Sequence, residues 1–167
     1  MLMIRKTSTF FAVLLFTGAL FFCKDAGAQV PNQLPVFAMT LSNGQYFKAA
    51  DLPKEKPILL IYFAPDCDHC HTLMNGFFKR ASEFQSAEVV MVTYTPVSEV
   101  AAFERAYQTY QHPNIKVGTE GSTYFLRQFY KLQNTPFTAL YNRQGKLVSS
   151  YRKEPPLNDL LKQLKNM

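Results

Sequence analysis

The chain has 167 residues, and 18 lysines and arginines against 12 aspartates and glutamates give it a formal net charge of +6. This length suits one domain behind an N-terminal leader, and it is enough to bury a core without disulfide staples. The basic residues are scattered, and part of their excess lies near the N-terminus. A solvated basic surface is therefore favoured over nucleic-acid binding.

The N-terminus has the order of a cleaved secretory signal. Arg5 and Lys6 form a basic start, an apolar stretch runs from Phe10 to Cys23, and the small residues Ala26-Gly27-Ala28 follow. The apolar stretch is shorter than the roughly 20 residues that span a membrane comfortably. We predict cleavage after Ala28.

This interpretation divides the chain into a signal peptide, residues 1–28, and one mature domain, residues 29–167. Two alternatives stay open, and each would attach the protein to a membrane. The leader could remain as an uncleaved anchor, or Cys23 could be lipidated. Phe22 precedes Cys23 where bacterial lipoprotein signals favour a small residue, which weakens the second alternative.

The first half of the mature chain predicts a hairpin, a strand and a helix. Partly alternating runs from Val36 to Leu41 and from Gln45 to Phe47 flank Asn43-Gly44, which is a strong hairpin signal. The apolar run from Ile58 to Phe63 is typical of a strand buried on both faces. Apolar residues then recur at helical spacing: Cys70, Leu73, Met74, Phe77, Phe78, Ala81 and Phe84.

The middle of the chain predicts a second buried strand from Val89 to Thr93 and then a helix capped by Ser98. A short strand from Ile115 to Val117 and a short helix from Thr123 to Tyr130 follow. The apolar face predicted for the helix after Ser98 is Val100, Phe103, Tyr107 and Tyr110.

The C-terminal part predicts strands from Phe137 to Tyr141 and from Lys146 to Tyr151, joined by a turn. Pro155-Pro156 begin a last helix. Its apolar face is Leu157, Leu160, Leu161 and Leu164. Strands that alternate with helices before a closing hairpin and helix indicate an α/β fold, with one mixed sheet covered on both faces.

The segment FAPDCDHCHTL holds Cys67 and Cys70, the only cysteines that remain once the signal is removed. An exported, oxidising compartment permits disulfides. A bond between these two closes only a tiny loop and adds little stability, whereas disulfide-stapled domains use several spread-out pairs. The pair is therefore predicted to serve chemistry.

Cys67 lies where the buried strand ends and the helix begins. The positive end of the helix dipole and the free backbone N–H groups there favour a thiolate and lower its pKa. Cys70 lies one turn further on, on the apolar face. We predict that Cys67 is the exposed nucleophile and Cys70 the buried thiol that resolves the mixed disulfide.

Three neighbours are expected to modulate the pair. His69 can donate a hydrogen bond or positive charge to the Cys67 thiolate, which would make the pair more oxidising. Asp66 and Asp68 act in the opposite direction, because negative charge disfavours a thiolate. His71 falls beside the apolar face and is interpreted as a solvated helix residue.

A metal site is the main alternative. Cys67, Cys70, His69 and His71 are four soft ligands in a short span, but structural zinc sites draw on two separated pairs, and His112 is the only other histidine. Thiolates and imidazole also suit copper. A copper- or zinc-binding metallochaperone therefore stays open, as does a non-catalytic binding module.

The strand ILLIYF, the C-x-x-C after it and the segment NTPFTALYNRQGKLV resemble the thioredoxin superfamily. The likeness is closest to the exported TlpA/ResA-like thiol–disulfide oxidoreductases and covers about Val36 to Lys165. It implies a thioredoxin fold with an N-terminal β-hairpin and a helical insert before the cis-proline strand. It also implies that Pro136, preceded by Thr135, is a cis-proline facing the cysteines, where the loop backbone pairs with the substrate chain.

The chain departs from the family in ways that bear on the direction of electron flow. Asp66 stands where many thioredoxins have Trp, and Ile61 stands where thioredoxin has a buried Asp that helps deprotonate the resolving cysteine. His69 is similar to the corresponding residue of oxidising members. The long insert from Thr95 to Leu132 fits the TlpA/ResA-like branch.

Residues and resemblance together predict a thiol–disulfide oxidoreductase that acts on exported proteins in a bacterial periplasm or at the cell surface. No organic cofactor is implied, and electrons would arrive through a redox partner protein. Membrane attachment is expected only with an uncleaved leader or a lipidated Cys23.

Overall fold

The computed structural model describes residues 30–167. The predicted signal peptide, its cleavage point and Cys23 lie outside the described residues. Within that range, no helix combines the length and apolar character needed to cross a membrane.

Seven strands and four α-helices make up residues 30–167. The strands are β1 (Ala38–Leu41), β2 (Tyr46–Lys48), β3 (Ile58–Tyr62), β4 (Glu88–Thr93), β5 (Ile115–Thr119), β6 (Phe137–Tyr141) and β7 (Leu147–Tyr151). The helices are α1 (Asp68–Phe78), α2 (Val97–Tyr107), α3 (Phe125–Phe129) and α4 (Leu157–Lys165).

The strands form one mixed sheet in the order β2-β1-β5-β4-β3-β6-β7. The central strands β5, β4 and β3 are parallel, and the pairs at either side are antiparallel. All five residues of β3 are buried, as its continuous apolar run predicts. The predicted mixed α/β sheet is therefore confirmed.

Hydrophobic cores lie on both faces of the sheet. Leu59 and Ile61 face a core completed by α1, α2 and α4, whereas Leu60 and Tyr62 face a second core completed by α3 and the N-terminal segment. This alternation follows from the two-residue period of a strand. The sheet is thus a rigid support for the loops at its edges.

Helix α2 differs from its prediction at both ends. It begins at Val97 after Pro96, and no side chain caps it, so the predicted cap at Ser98 is wrong. The helix ends at Tyr107 because Gln108 adopts a left-handed conformation with φ of 51°. Tyr110 therefore leaves the helical face and is 78% exposed.

The helix after the cysteines is shorter than its apolar pattern suggests. Helix α1 ends at Phe78, and Ala81 and Phe84 reach the same core from a 3-10 turn that follows. The predicted burial is correct, but the last two residues reach it through a different backbone conformation.

Strand β5 is longer than the predicted strand and lies inside the predicted insert from Thr95 to Leu132. It pairs with β4 on one side and with β1 on the other, so it joins the N-terminal hairpin to the sheet. Gly118 makes that approach possible, because a Cβ there would lie 2.8 Å from the Met39 side chain and 2.9 Å from the Thr40 carbonyl oxygen.

Candidate active site

Cys67 is held at the start of α1 by the backbone that leaves β3. The Cys67 N–H donates to the Ala64 carbonyl at 3.2 Å, which closes a turn after the strand. Cys67 then takes the extended conformation of an N-cap residue, and its carbonyl accepts the first helical bond from His71 N–H at 3.0 Å. The predicted position at the junction of strand and helix is therefore observed.

The Cys67 sulfur is half-buried and has polar partners on two sides. It accepts from the Cys70 backbone N–H at 3.3 Å, and its thiol donates to the Thr135 carbonyl at 3.4 Å. Burial by itself raises the pKa of Cys67. Hydrogen bonds from the Cys70 thiol, the Thr135 side chain and the backbone N–H groups of Cys70 and His69 outweigh burial and lower that pKa.

Cys70 has the opposite environment. It is 2% exposed and belongs to the core that also contains Ile61 and Leu73. Burial and the hydrogen bond from its thiol to the Cys67 sulfur raise the pKa of Cys70 to about 12. Both cysteines are present as free thiols. The pair is thus a reactive thiol at the surface beside an inert thiol below it.

Thr135 and Pro136 lie opposite the cysteines because β6 runs antiparallel beside β3. The register pairs Tyr62 with Phe137, which brings the residues before β6 next to the loop after β3. The Thr135–Pro136 peptide bond is cis, as the resemblance implies. The Thr135 carbonyl faces the Cys67 sulfur.

The His69 side chain turns away from the thiolate that it was predicted to contact. Its Nδ1 lies 2.6 Å from the Glu154 Oε1, and the histidine side chain is 75% exposed. Glu154 follows β7, which pairs with β6 and so ends near the start of α1. Its own backbone N–H and the His69 hydrogen bond lower the pKa of Glu154. His69 reaches Cys67 through its backbone N–H instead.

The other polar residues of the motif face solvent. Asp66, Asp68 and His71 are all exposed, and His71 is therefore solvated as predicted. Within residues 30–167, no group of three His, Cys, Asp or Glu side chains is arranged to hold a metal ion. A metal carrier would therefore have to bind its ion through the two thiols and a further ligand from outside this group of residues.

A cleft of about 510 Å³ opens beside the Cys67 sulfur. Thr135 and Pro136 form part of its wall, and the His69–Glu154 pair lies at its rim. The remaining lining residues are Tyr62, Tyr94, Arg127, Leu132, Gln133, Asn134, Arg152 and Lys153. The exposed thiol therefore faces a cavity of the size that binding sites usually have.

A buried acid supports this cleft, and the sequence analysis did not single it out. Glu120 is 6% exposed and accepts from the Tyr62 hydroxyl at 2.6 Å and from the Leu126 backbone N–H at 2.6 Å. Burial and this carboxyl group raise the pKa of Tyr62. Glu120 directly follows β5, and the carboxyl ends of parallel strands meet at one edge of a sheet. Extending the predicted strand at Ile115 would have indicated its position.

A model of the AhpC/TSA family matches residues 30–158. A search of curated protein sequences gives no match.

Several solved structures have a similar fold at low sequence identity. The exposed lipoprotein thioredoxin of Streptococcus pneumoniae is 21% identical with a TM-score of 0.60, over 80% of this chain and 100% of that one. A secreted Mycobacterium tuberculosis disulfide oxidoreductase homologous to E. coli DsbE is 18% identical with a TM-score of 0.63, over 78% and 96%. Peroxidoxin BcpB, also from M. tuberculosis, is 14% identical with a TM-score of 0.69, over 83% and 97%.

The three structures share the thioredoxin-like arrangement of a mixed sheet between helices, which confirms the fold that the sequence predicts. Since the family model covers most of the chain, the protein belongs to the AhpC/TSA family of the thioredoxin superfamily.

Proposed function

We propose that this protein is a thiol–disulfide oxidoreductase of the TlpA/ResA-like branch that exchanges disulfides with exported proteins. One observation carries the proposal: the half-buried Cys67, with its lowered pKa, opens into a cleft directly above Cys70, whose pKa is raised to about 12. This asymmetry assigns different roles to the two thiols. A thiolate attacks disulfides, whereas a protonated thiol waits until the first step has placed a disulfide beside it.

The reaction then proceeds in two exchanges. The Cys67 thiolate attacks one sulfur of a substrate disulfide, forms a mixed disulfide and releases the other substrate sulfur as a thiolate. Cys70 loses its proton and attacks the Cys67 sulfur, which releases the second substrate thiolate. The substrate gains two electrons, and the Cys67–Cys70 pair becomes a disulfide. The reverse sequence oxidises a dithiol substrate.

The substrate chain is proposed to lie against Thr135 and Pro136, where the family pairs its loop backbone with substrate. The Thr135 carbonyl already lies 3.4 Å from the Cys67 sulfur, so a chain bound there would meet the nucleophile. A redox partner protein would restore the pair after each turnover.

An exported location is part of the proposal. It is supported by the signal-like order of residues 1–28 and by the solved relatives described as an exposed lipoprotein and a secreted oxidoreductase. Mass spectrometry of the mature protein tests it. A chain beginning at Gln29 would support cleavage after Ala28, and a lipid on Cys23 would replace that prediction with membrane anchoring.

The direction of electron flow can be measured from the reduction potential of the Cys67–Cys70 pair against glutathione. A potential near that of thioredoxin, about −270 mV, would identify a reductase, and one near that of DsbA, about −120 mV, an oxidase. Because the His69 side chain is bonded to Glu154 rather than to the thiolate, the Cys70 thiol, Thr135 and the backbone N–H groups of Cys70 and His69 are the groups that stabilise the Cys67 thiolate.

Peroxide reduction is a second candidate, favoured by the AhpC/TSA family match. In that reaction the Cys67 thiolate would attack a peroxide oxygen, which forms a sulfenic acid and releases an alcohol or water. Cys70 would then condense with the sulfenic acid, releasing water and leaving the same disulfide. The two candidates differ in the oxidant that Cys67 accepts.

The test compares both oxidants on one set of variants. Wild-type protein should reduce a protein disulfide such as that of insulin with a dithiol as electron source, and Cys67→Ala should abolish the reaction. Cys70→Ala should accumulate mixed disulfides. Turnover that survives in Cys67→Ala would overturn the proposal, and oxidation by peroxide much faster than by protein disulfides would favour the second candidate.

A further inference from the structure

Positive charge is concentrated on the cleft beside Cys67. Arg127, Arg152 and Lys153 all line it, and none of them forms an ion pair with a carboxylate among residues 30–167. The only acid lining the cleft is Glu154, whose carboxylate is already bonded to His69. The cleft therefore offers cations to an occupant, while its one lining carboxylate is already engaged.

The guanidinium groups are held in place by neutral partners, which leaves their charge uncompensated. Arg152 donates to the carbonyls of Tyr130 and Lys131 at 3.0 and 3.3 Å. Arg127 lies 5.6 Å from the centre of the Tyr94 ring. Because a guanidinium carries five N–H donors, both arginines keep donors for an incoming carboxylate.

The charged surface continues beyond the cleft. Arg127, Tyr94 and Leu132 also line a neighbouring depression, which adds Tyr124, Gln128 and Lys131. We call this depression and the Cys67 cleft together the basic groove. The two cavities, of about 510 and about 520 Å³, together offer more space than a small thiol next to Cys67 would fill, and their aromatic rings suit the side chains of an extended polypeptide.

Helix α3 is built to hold Arg127 in this groove. The Glu120 carboxyl accepts from the backbone N–H groups of Leu126 and Arg127, at 2.6 and 3.4 Å, and ties the helix to Tyr62 under the cleft. Tyr124, directly before this helix, and Lys131, two residues after it, have positive φ values of 47° and 52°. Non-glycine residues adopt such angles only where the surrounding structure holds them.

From this arrangement we infer that the basic groove selects substrates whose target cysteine lies in an acidic, extended segment. Arg127, Arg152 and Lys153 bind carboxylates of that segment while its sulfur meets Cys67. The inference rests on the proposed function and names its substrate class.

Binding of two peptides tests the inference without any redox step. The peptides share one sequence with Ser in place of the target cysteine, and the flanking residues are Asp in one and Asn in the other. Fluorescence anisotropy with reduced wild-type protein should show tighter binding of the Asp peptide, by roughly tenfold, because exposed ion pairs are individually weak and three act together. The preference should shrink as salt rises from about 0.01 M to about 1 M, where the screening length falls from about 30 Å to about 3 Å.

Matched variants locate the effect. Arg127→Gln and Lys153→Gln should each reduce the preference severalfold, whereas Lys162→Gln, which removes an exposed cation from α4 outside the groove, should leave it unchanged. Equal binding of the two peptides, or an equal effect of Lys162→Gln, would overturn the inference. Binding of reduced glutathione as tight as that of the Asp peptide would also overturn the inference. In that case the surface beyond Arg127 would contribute nothing to substrate binding.

Cysteine versions of the two peptides, with Cys restored in place of Ser and joined in a disulfide, separate this inference from the proposed function. Reduction of the Asp form faster than the Asn form supports both. Reduction of both forms at the same rate keeps the oxidoreductase and overturns the acidic specificity. Selective binding of the Asp peptide without reduction of either form keeps the groove assignment and overturns the oxidoreductase.

Discussion

Cys67 and Cys70 share one turn of helix but face different surroundings. Cys67 ends the loop after β3 and meets backbone N–H groups, whereas Cys70 points into the core with Leu73 and Phe77. The helix start and its hydrogen bonds favour a thiolate at the first position, and the apolar core favours a protonated thiol at the second. The difference in reactivity between the two thiols thus follows from three residues of spacing on an amphipathic helix.

Alkylation of the reduced protein with iodoacetamide measures this difference. The thiolate is the reactive form, so a lowered pKa places the rise in Cys67 labelling below the ordinary thiol midpoint of about 8.5. Cys70 should remain unlabelled across the same pH range, because its pKa is about 12. Fragmentation of the labelled peptide in a mass spectrometer distinguishes the label on Cys67 from the label on Cys70.

The unfolded protein is the control for that experiment. In denaturant both thiols lose their surroundings, and their labelling should rise together near the ordinary midpoint. Equal labelling of Cys67 and Cys70 in the folded protein at neutral pH would contradict the assigned roles.

The exposure of individual residues near the cysteines could be predicted from their spacing along a helix. Helical periodicity predicts that Cys70 is buried, that Cys67 is more exposed than Cys70 and that His71 is solvated, and all three agree with the structure. The partner of His69 could not be found in this way, because Glu154 is 85 positions away and arrives through the pairing of β6 with β7. Glu120 was missed because the predicted strand stopped at Val117, two residues short of the observed end of β5, and because its partner Tyr62 is 58 positions away.

The buried Glu120 is the residue on which the position of α3 depends. Glu120→Ala would leave the Tyr62 hydroxyl and the Leu126 N–H buried without their acceptor, so the free energy of unfolding should fall by about 2 kcal/mol or more. Urea unfolding followed by circular dichroism measures it. Tyr62→Phe removes only one donor and should cost about 1 kcal/mol. A Glu120→Ala protein as stable as wild type would contradict this role.

Replacing glycine by alanine should have opposite effects on stability at Gly118 and at Gly76, because their surroundings differ. Gly118→Ala would place a methyl group 2.9 Å from the Thr40 carbonyl oxygen of the paired strand, and such overpacking should lower the free energy of unfolding by about 1 to 3 kcal/mol. Gly76→Ala lies in α1, where its Cβ would meet only the Leu157 side chain at 3.4 Å. Its better helix propensity should raise the free energy of unfolding by about 0.5 to 1 kcal/mol.

Thermal or urea unfolding of the two alanine variants, measured side by side, checks both signs. A stable Gly118→Ala protein would mean that β1 and β5 pair less closely than described. A destabilised Gly76→Ala protein would mean that α1 cannot yield at Leu157.

Among the elements, buried strands were the most predictable. The short apolar runs of β3 and β4 and the largely apolar run of β6 were assigned correctly as strands, and each strand is buried along its whole length. The start of α2 was missed because Ser98 is a good cap in principle, but Pro96 holds the N-cap position, so the helix begins two residues earlier than a cap at Ser98 implies. Strand β5 was underestimated because Gly118 and Thr119 lack the apolar pattern, although tertiary contacts bury both.

The whole molecule brings together groups that are distant in sequence. The order β4-β3-β6 places the loop after β3 beside the Thr135–Pro136 loop, and β7 carries Glu154 to the start of α1. The family resemblance predicted the first of these contacts but not the second. The cations of the basic groove come from α3 and from the segment after β7, so no local pattern in the sequence indicates that they meet.

Cys67 is proposed to attack substrate disulfides, and Cys70 is proposed to resolve the mixed disulfide. Trapping with Cys70→Ser tests these roles most directly: the variant is mixed with a disulfide-bonded protein at neutral pH, and the adducts are mapped by mass spectrometry under non-reducing conditions. We predict that the mixed disulfide accumulates on Cys67, that wild-type protein releases it, and that Cys67→Ser forms none. Equal adducts on Cys67→Ser and Cys70→Ser, or no adduct on either variant, would rule out these roles for the two thiols.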